Sequence, residues 1–354
     1  MSDLATRFAI NPVVRPEDVP PSVEGFEVTC AFNPGAFSYK GRTGLVLRVA
    51  ERPPTREGFI DSVTTSETGE LVITSFALDD PDLTVGDSRG FSHKGIDYLT
   101  TLSHFRMAWS DDGEKFEVDA KPLIVGSSAY ETLGIEDARV TELEGRYYLT
   151  YTAVSRNGYG VGMRSTTDWE NFQEHGVVIP PFNKDCTLFT EKIKGSYHML
   201  HRPTGAGLGG PYIWSAKSPD LIHWGEHKCI AQARPGMWDS ARVGAGAAPI
   251  KTSEGWLEIY HGAEELGVNG HRYCLGALLL DLDDPTKVLA RSHDPIMEPT
   301  ETYERQGFFG NVVFTNGHVV KGDEITLYYG AADSYSCGAR LSINQILTSL
   351  KGVR

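Results

Sequence analysis

The sequence predicts an all-β fold, a five-bladed β-propeller with an N-terminal arm and a short C-terminal helix. Three observations carry this: a strand phrase that returns five times, a polar turn phrase between copies, and little helical periodicity. The strand phrases are GLVLRVA (44–50), GRYYLTYTA (145–153), GSYHMLHRP (195–203), GWLEIYHGA (255–263) and DEITLYYGA (323–331). Each has the aromatic and aliphatic content of a strand, in most cases behind a glycine that marks a turn. The turn phrases are WSDDGEKF (109–116), STTDWENF (165–172) and KSPDLIHW (217–224), with a fainter LDDPTKVL (282–289). An Asp followed by an aromatic or aliphatic residue suits hairpins closed by Asx-type turns.

From the second copy onward the strand phrases begin 50, 60 and 68 residues apart. Repeats of roughly 40–50 residues with four strands each are the signature of propeller blades. The wider gap after the first copy makes residues 51–105 an insertion between the first and second repeats. Residues 1–25 read as an arm, INQILTSLK near the end has helical spacing, and residues 1–354 form one domain. A β-sandwich would not explain why the same strand and turn phrases recur in the same order. In a propeller the inner strands converge on a central channel, so polar groups at matching places in several repeats share one pocket.

Composition narrows the partners. The chain has 354 residues, 40% apolar and 23% charged, enough for a sizeable core. Its formal charge of −14 and lack of any Lys/Arg run argue against nucleic acid. The five cysteines are odd in number, widely spaced and without a CxxC pair, so buried thiols are expected rather than a metal or redox site. The histidines have no ligand spacing, and neither metal nor cofactor is expected. The first 22 residues lack the charged and apolar regions of a signal peptide, and no run is apolar enough to span a bilayer. The protein is therefore expected to be cytoplasmic and soluble, with no membrane partner.

The candidate chemistry lies in matching places of the repeats: Arg48 in the first strand phrase, Glu136 and Asp137 before the second, His201 and Arg202 in the third, Asp333 after the fifth. A single acid before a strand is ordinarily a turn residue or a salt-bridge partner. In a shared, partly desolvated pocket a carboxyl instead keeps its proton to higher pH, which suits a general acid for a glycosidic oxygen. Asp137 is that candidate, and Glu136 offers the same chemistry or a partner for Arg139. A second group, Arg156, Asn157, Lys184 and His201, supplies donors of the kind that bind a tetrahedral oxyanion. Their ordinary alternatives are solvated surface charges and, for His201, a buried neutral imidazole.

With these residues and the phrases AFNPGA (31–36), LVLRVAE (45–51), GIEDARV (134–140), PPFNKD (180–185), FTEKIKGSYHMLHRP (189–203) and YYGAAD (328–333), the chain resembles glycoside hydrolase family 130, the β-mannoside phosphorylases and related β-mannosidases. IWSAKSPDLIHWG (213–225) and WDSARVGAGAAPIKTSEGWLEIYHG (238–262) extend the likeness almost end to end. The resemblance implies a five-bladed propeller with Asp137 as general acid, acting through a mannose hydroxyl while phosphate attacks the anomeric carbon with inversion. The product implied is α-mannose 1-phosphate. It further implies Arg156, Asn157, Lys184 and His201 as phosphate ligands and Asn33, Arg48 and Asp333 around the mannose. Glu136, Asp239 and Arg242 are added as substrate-binding residues. Ala138 stands where the family often has proline, and the segment 83–113 resembles the branch acting on β-1,2 linkages more than the β-1,4 branch.

An inverting hydrolase of the same family would need a second carboxylate about 6.5–9.5 Å from the acid to activate water. The positions opposite Asp137 carry cations and amides instead, so inverting phosphorolysis of a β-mannoside is the favoured reading, with inorganic phosphate as co-substrate. A hydrolase and a non-catalytic sugar-binding propeller are the alternatives. A homo-oligomer is possible through the arm or the insertion.

Overall fold

The computed structural model describes residues 3–86, 90–205, 208–267 and 270–352, so 1–2 of the arm and 87–89 of the insertion lie outside the described residues. Five antiparallel sheets follow one another around an axis. Blade 1 holds Glu27–Tyr39, Arg42–Arg52, Leu102–Ser110 and Glu117–Ile124, and blade 2 holds Ile135–Leu143, Arg146–Ser155, Gly158–Thr166 and Gln173–Ile179. Blade 3 comprises Asn183–Leu188, Tyr197–Pro203, Ile213–Ser218 and Gly225–Ala231. Blade 4 comprises Arg242–Gly244, Trp256–Glu265, His271–Leu280 and Val288–Arg291, with Ile250–Lys251 beside its second strand. Blade 5 takes Val313–Lys321, Glu324–Ala331 and Tyr335–Ser342 from the end of the chain and Thr6–Arg7 from its start. Thr6 faces Arg340 in that register, so the arm closes the ring by supplying the last blade's outer strand.

The recurring strand phrases are the second strands of the blades. Asp137 accordingly lies inside an innermost strand, Ile135–Leu143, and not merely ahead of one. The recurring turns join third to fourth strands, and their aspartates close them as Asx turns. Asp112 accepts from the amides of Glu114 and Lys115, Asp168 from Glu170 and Asn171, and Asp220 from Ile222 and His223. In blade 4 the same duty falls to Asp281, which accepts from Asp283 and Asp284.

Apolar layers separate neighbouring blades, because each sheet buries one face against the next. Val46, Phe105, Ile135 and Leu149 pack between blades 1 and 2, and Val161, Met163, Leu188 and Met199 between blades 2 and 3. Between blades 4 and 5 the layer continues into the helix Ile343–Lys351, whose Ile346, Leu347 and Leu350 are buried and whose N-terminus is capped by Ser342 accepting from the Gln345 amide. All five cysteines are free.

Between Arg52 and Leu102 the chain leaves blade 1 and forms two small sheets. One pairs Phe59–Thr65 with Leu71–Ala77, and the other joins Leu83–Val85, Gly90–His93 and Ile96–Leu99. Phe76, Phe91 and Tyr98 hold them together, with ring centroids 4.7–5.3 Å apart.

Candidate active site

The innermost strands of blades 1, 2 and 3 share a local device. Each ladder is interrupted, between Phe32 and Gly35, Glu136 and Arg139, and Lys184 and Thr187. At each interruption one residue adopts a left-handed backbone: Asn33 at φ 48°, Asp137 at 55° and Asp185 at 51°. Asn and Asp tolerate that conformation better than other side chains, and a bulge turns its residue out of the sheet's alternation. Three short polar side chains are thereby placed near the axis.

These strands frame a cavity of about 480 Å³. Blades 1 and 2 line it with Asn33, Arg48, Ser103, Glu136 and Asp137, blade 3 with Lys184 and Arg202, blade 4 with Arg242, His271 and Tyr273, and blade 5 with Phe308, Phe309 and Asp333. Leu99 and Thr101, at the end of the insertion, form part of the wall.

Asp137 is 3% exposed, and its Oδ1 accepts from Asn33 Nδ2 at 2.9 Å and from Arg48 Nη1 at 3.1 Å. Arg48 also pairs with Glu136 at 2.8 Å, donates to Ser103 Oγ at 3.0 Å and stacks 4.7 Å from the Phe32 ring. Burial by itself raises the Asp137 pKa, but Arg48, Lys184 and Arg139 and the Asn33 amide outweigh it and hold the carboxyl below its ordinary range. The proton retention expected from burial is therefore reversed by these neighbouring charges.

Behind the acid lies a buried ionic hub. Arg139, fully buried, donates to the Asp137 carbonyl at 2.9 Å, to Asp185 Oδ1 at 3.2 Å and to the carbonyls of Ala245 and Gly246. The other Asp185 oxygen lies 2.9 Å from Arg202 Nε and 3.0 Å from His261 Nε2. Desolvation opposes ionisation of Asp185, yet Arg202, His261 and Arg139 hold its pKa well below the ordinary value. Arg202 Nη1 and Arg242 Nε are buried without a hydrogen-bond partner among the described residues. Buried guanidinium donors without acceptors are costly unless a ligand supplies the oxygens. With the Lys184 ammonium they bring three cations to one cavity, a donor set able to take a tetrahedral oxyanion.

Of the residues singled out in the sequence, Asn33, Arg48, Glu136, Asp137, Lys184, Arg202, Arg242 and Asp333 line this cavity; Arg156, Asn157, His201 and Asp239 do not. His201 and Arg202 are neighbours on one strand and point to opposite faces. The His201 ring is bonded to Asn183 Oδ1 at 3.1 Å and His227 Nδ1 at 3.0 Å, and burial pulls its pKa down to about 3. Arg156 and Asn157 sit exposed at the tip of a blade 2 hairpin, where Arg156 contacts the insertion. Asp239, fully buried, is consumed by Arg234, Arg291 at 2.5 Å and the Tyr260 hydroxyl at 2.8 Å. The sequence reading missed Asp185 and left Arg202 out of the oxyanion set. The repeated phrases FNP, EDA and KDC, each with Asn or Asp at the bulge, were the available signal for Asp185.

Comparison with known proteins decides the family. The model of glycoside hydrolase family 130, described as beta-1,4-mannooligosaccharide phosphorylase, matches residues 97–352. The chain belongs to glycoside hydrolase family 130. Within family 130 it is 45% identical over 351 residues to the beta-1,2-mannobiose phosphorylase of Listeria innocua serovar 6a, covering 98% of both chains. It is 42% identical over 252 residues to a 1,2-beta-oligomannan phosphorylase of a Thermoanaerobacter species, covering 70% of this chain and 82% of that one. A solved structure of the Listeria innocua enzyme with beta-1,2-mannobiose superposes with a TM-score of 0.93 at 43% identity, covering 98% of this chain and 99% of the other. The family 130 match begins inside the insertion, so most of blade 1 is supported by the full-length relatives.

Proposed function

We propose that this protein is an inverting β-mannoside phosphorylase that cleaves β-1,2-mannobiose or a short β-1,2-mannan with inorganic phosphate, giving α-mannose 1-phosphate and a shortened sugar. One observation carries the reading. Beside Asp137 the cavity is lined by three cations, Lys184, Arg202 and Arg242, with two guanidinium nitrogens lacking acceptors, and the only carboxylates lining it among the described residues are Glu136, Asp137 and Asp333 of blades 2 and 5. A hydrolase needs a carboxylate base beside its water, whereas a phosphate nucleophile arrives anionic and needs cations.

Phosphate is placed against Lys184, Arg202 and Arg242, and the mannose to be transferred lies against Asn33, Arg48, Phe32 and Asp333. A phosphate oxygen forms a bond to the anomeric carbon as the bond to the bridging oxygen breaks on the opposite face. The leaving oxygen takes a proton that originates on Asp137, directly or through a sugar hydroxyl. Asp137 is held ionised in the free site, and phosphate supplies the correction. Its charge cancels that of Lys184, a sugar over the carboxyl removes water, and both changes raise the Asp137 pKa.

The β-1,2 linkage follows the relatives that cover this chain most fully. The beta-1,4-mannooligosaccharide phosphorylase of Ruminococcus albus is 33% identical over 69% of the chain, against 45% over 98% for the beta-1,2-mannobiose enzyme. A cytoplasmic location fits this chemistry, since inorganic phosphate is supplied there. The test is a product assay on β-1,2- and β-1,4-mannobiose with and without phosphate. Mannose 1-phosphate formed from the β-1,2 substrate only when phosphate is present is the expected result; equal turnover to free mannose in phosphate-free buffer overturns it.

A further inference from the structure

The N-terminal strand closes the ring, and one of its two residues reaches further. Arg7, which faces Ala339 in the blade 5 ladder, grips the fully buried Glu304 carboxylate with two nitrogens, Nε at 2.7 Å from Oε1 and Nη2 at 3.0 Å from Oε2. The same Nη2 donates to the Glu298 carbonyl at 2.7 Å, and the Tyr329 hydroxyl and the amides of Thr300 and Glu301 also donate to Glu304. Asn11 of the arm adds a bond to the Tyr303 hydroxyl at 3.3 Å. Tyr303 and Glu304 belong to a single helical turn, Thr302–Arg305. A planar guanidinium forked onto a carboxylate fixes direction as well as distance, so the arm sets where that turn lies.

That turn is the first stem of a loop that enters the active site. The Val312 amide donates to the Glu304 carbonyl at 3.0 Å and closes the loop at its base, while the Phe309 amide donates to the Ala332 carbonyl at 3.0 Å and the Phe308 amide to Ser334 Oγ at 2.7 Å. Phe308 and Phe309 line the cavity. Phe308 packs against the cluster of Cys30, Phe32 and Ala50 in blade 1, and the Phe309 ring lies 5.7 Å from that of His271 in blade 4. The loop has little slack. A Cβ at Gly307 would stand 2.5 Å from the Ala332 carbonyl oxygen, and one at Gly310 would overlap that of Arg305. A shift of the turn is therefore passed on to the two rings. We propose that Arg7 is a positioning residue for the active site: through Glu304 it holds the turn from which Phe308 and Phe309 are presented to the substrate. The inference takes the cavity as the phosphorylase site argued above. A phenyl ring has no donor for an oxyanion and can meet only the carbon faces of a sugar, so the effect falls on the mannoside and not on phosphate.

Phosphorolysis kinetics on β-1,2-mannobiose and hydrogen exchange test this in three variants. Arg7→Met breaks the clasp, Arg7→Met with Glu304→Gln breaks it without leaving a buried charge unpaired, and Arg7→Lys keeps the charge without the fork. Arg7→Met and the double variant should raise the KM for the mannoside by roughly 2- to 13-fold, the span of one aromatic contact, with the KM for phosphate at the parent level. Exchange of the Phe309 and Val312 amides should quicken in both without any sugar present. Arg7→Lys should fall between the parent and Arg7→Met in both measurements. The double variant should resist urea better than Arg7→Met yet be no less impaired in mannoside KM, which separates positioning from stability. Should the first two variants fail to fold, Arg7→Lys carries the same test. Parental mannoside KM, or parental exchange at Phe309 and Val312, overturns the proposal and leaves Arg7 a clasp for the fold alone. A phosphate KM that rises as much as the mannoside KM overturns it as well. A parent protein with no phosphate-dependent turnover would defeat the phosphorylase reading instead, and the exchange measurement, with calorimetry of β-1,2-mannobiose binding, would then judge the clasp.

Discussion

Arg139 donates a hydrogen bond of 2.9 Å to the backbone carbonyl of Asp137, the residue whose left-handed φ of 55° turns its carboxylate into the cavity. The same guanidinium holds Asp185, so one buried cation supports both the acid and the hub that orients Arg202. Arg139→Met leaves the Asp185 carboxylate with fewer partners in a dry site, a loss of about 3–5 kcal/mol for a broken buried pair. Urea unfolding should show a destabilisation of that size. Because Asp137 loses its support, kcat should fall as well in whatever fraction folds.

Asp137→Asn keeps the shape and removes the proton. Phosphorolysis of β-1,2-mannobiose should fall by about 10²–10⁴-fold or more, the contribution of general acid catalysis. Sugar binding measured by calorimetry should persist, because Arg48 retains Glu136 as its partner. A variant with near-parental kcat would show that the acid lies elsewhere.

Lys184→Ala and Arg202→Ala should each raise the KM for phosphate much more than the KM for the mannoside. Removing one charged hydrogen bond costs roughly 1.5–3 kcal/mol, or about 10- to 150-fold. His201→Gln serves as the contrast. Its ring faces Asn183 and His227, so phosphate KM should stay at the parent value. Phosphate kinetics on the three variants separate a cationic site at Arg202 from one at His201.

Glu258 gives a pH signature independent of catalysis. It is fully buried, accepts from the Gly246 amide at 2.7 Å, and burial pushes its pKa up to about 8. In the unfolded chain it titrates near the ordinary value of 4.5. Between those two values the folded state holds a proton that the unfolded state has released, so stability falls as pH rises through this window and levels off above pH 8. Glu258→Gln cannot ionise. Thermal unfolding should show this variant gaining stability relative to the parent between pH 5 and pH 8, with a gain of on the order of several kcal/mol. A parent and variant with parallel pH profiles would contradict the buried, neutral assignment.

The repeats were legible because their information is local. Second strands such as Arg146–Ser155 and turns such as Thr166–Asn171 are specified by nearest neighbours, through aromatic and β-branched content and an Asp that bonds amides two and three residues on. That fixed the blade count, the helix from Ile343 and the rough location of the acid. The closing of blade 5 by Thr6–Arg7 was invisible, since two residues of ladder carry no pattern of their own.

By itself, then, the chain's primary order determined an all-β ring, its family likeness, and Asp137 with Asn33, Arg48, Lys184 and Asp333 as residues that meet at the axis. Only the tertiary structure chose Arg202 over its neighbour His201, gave Asp239 to Arg234 and Arg291, and set Arg156 against Tyr98. Those choices turn on which face of a strand looks toward the axis. A one-residue step reverses that face, and it is fixed by bulges and inter-blade packing contributed from residues far away in the chain.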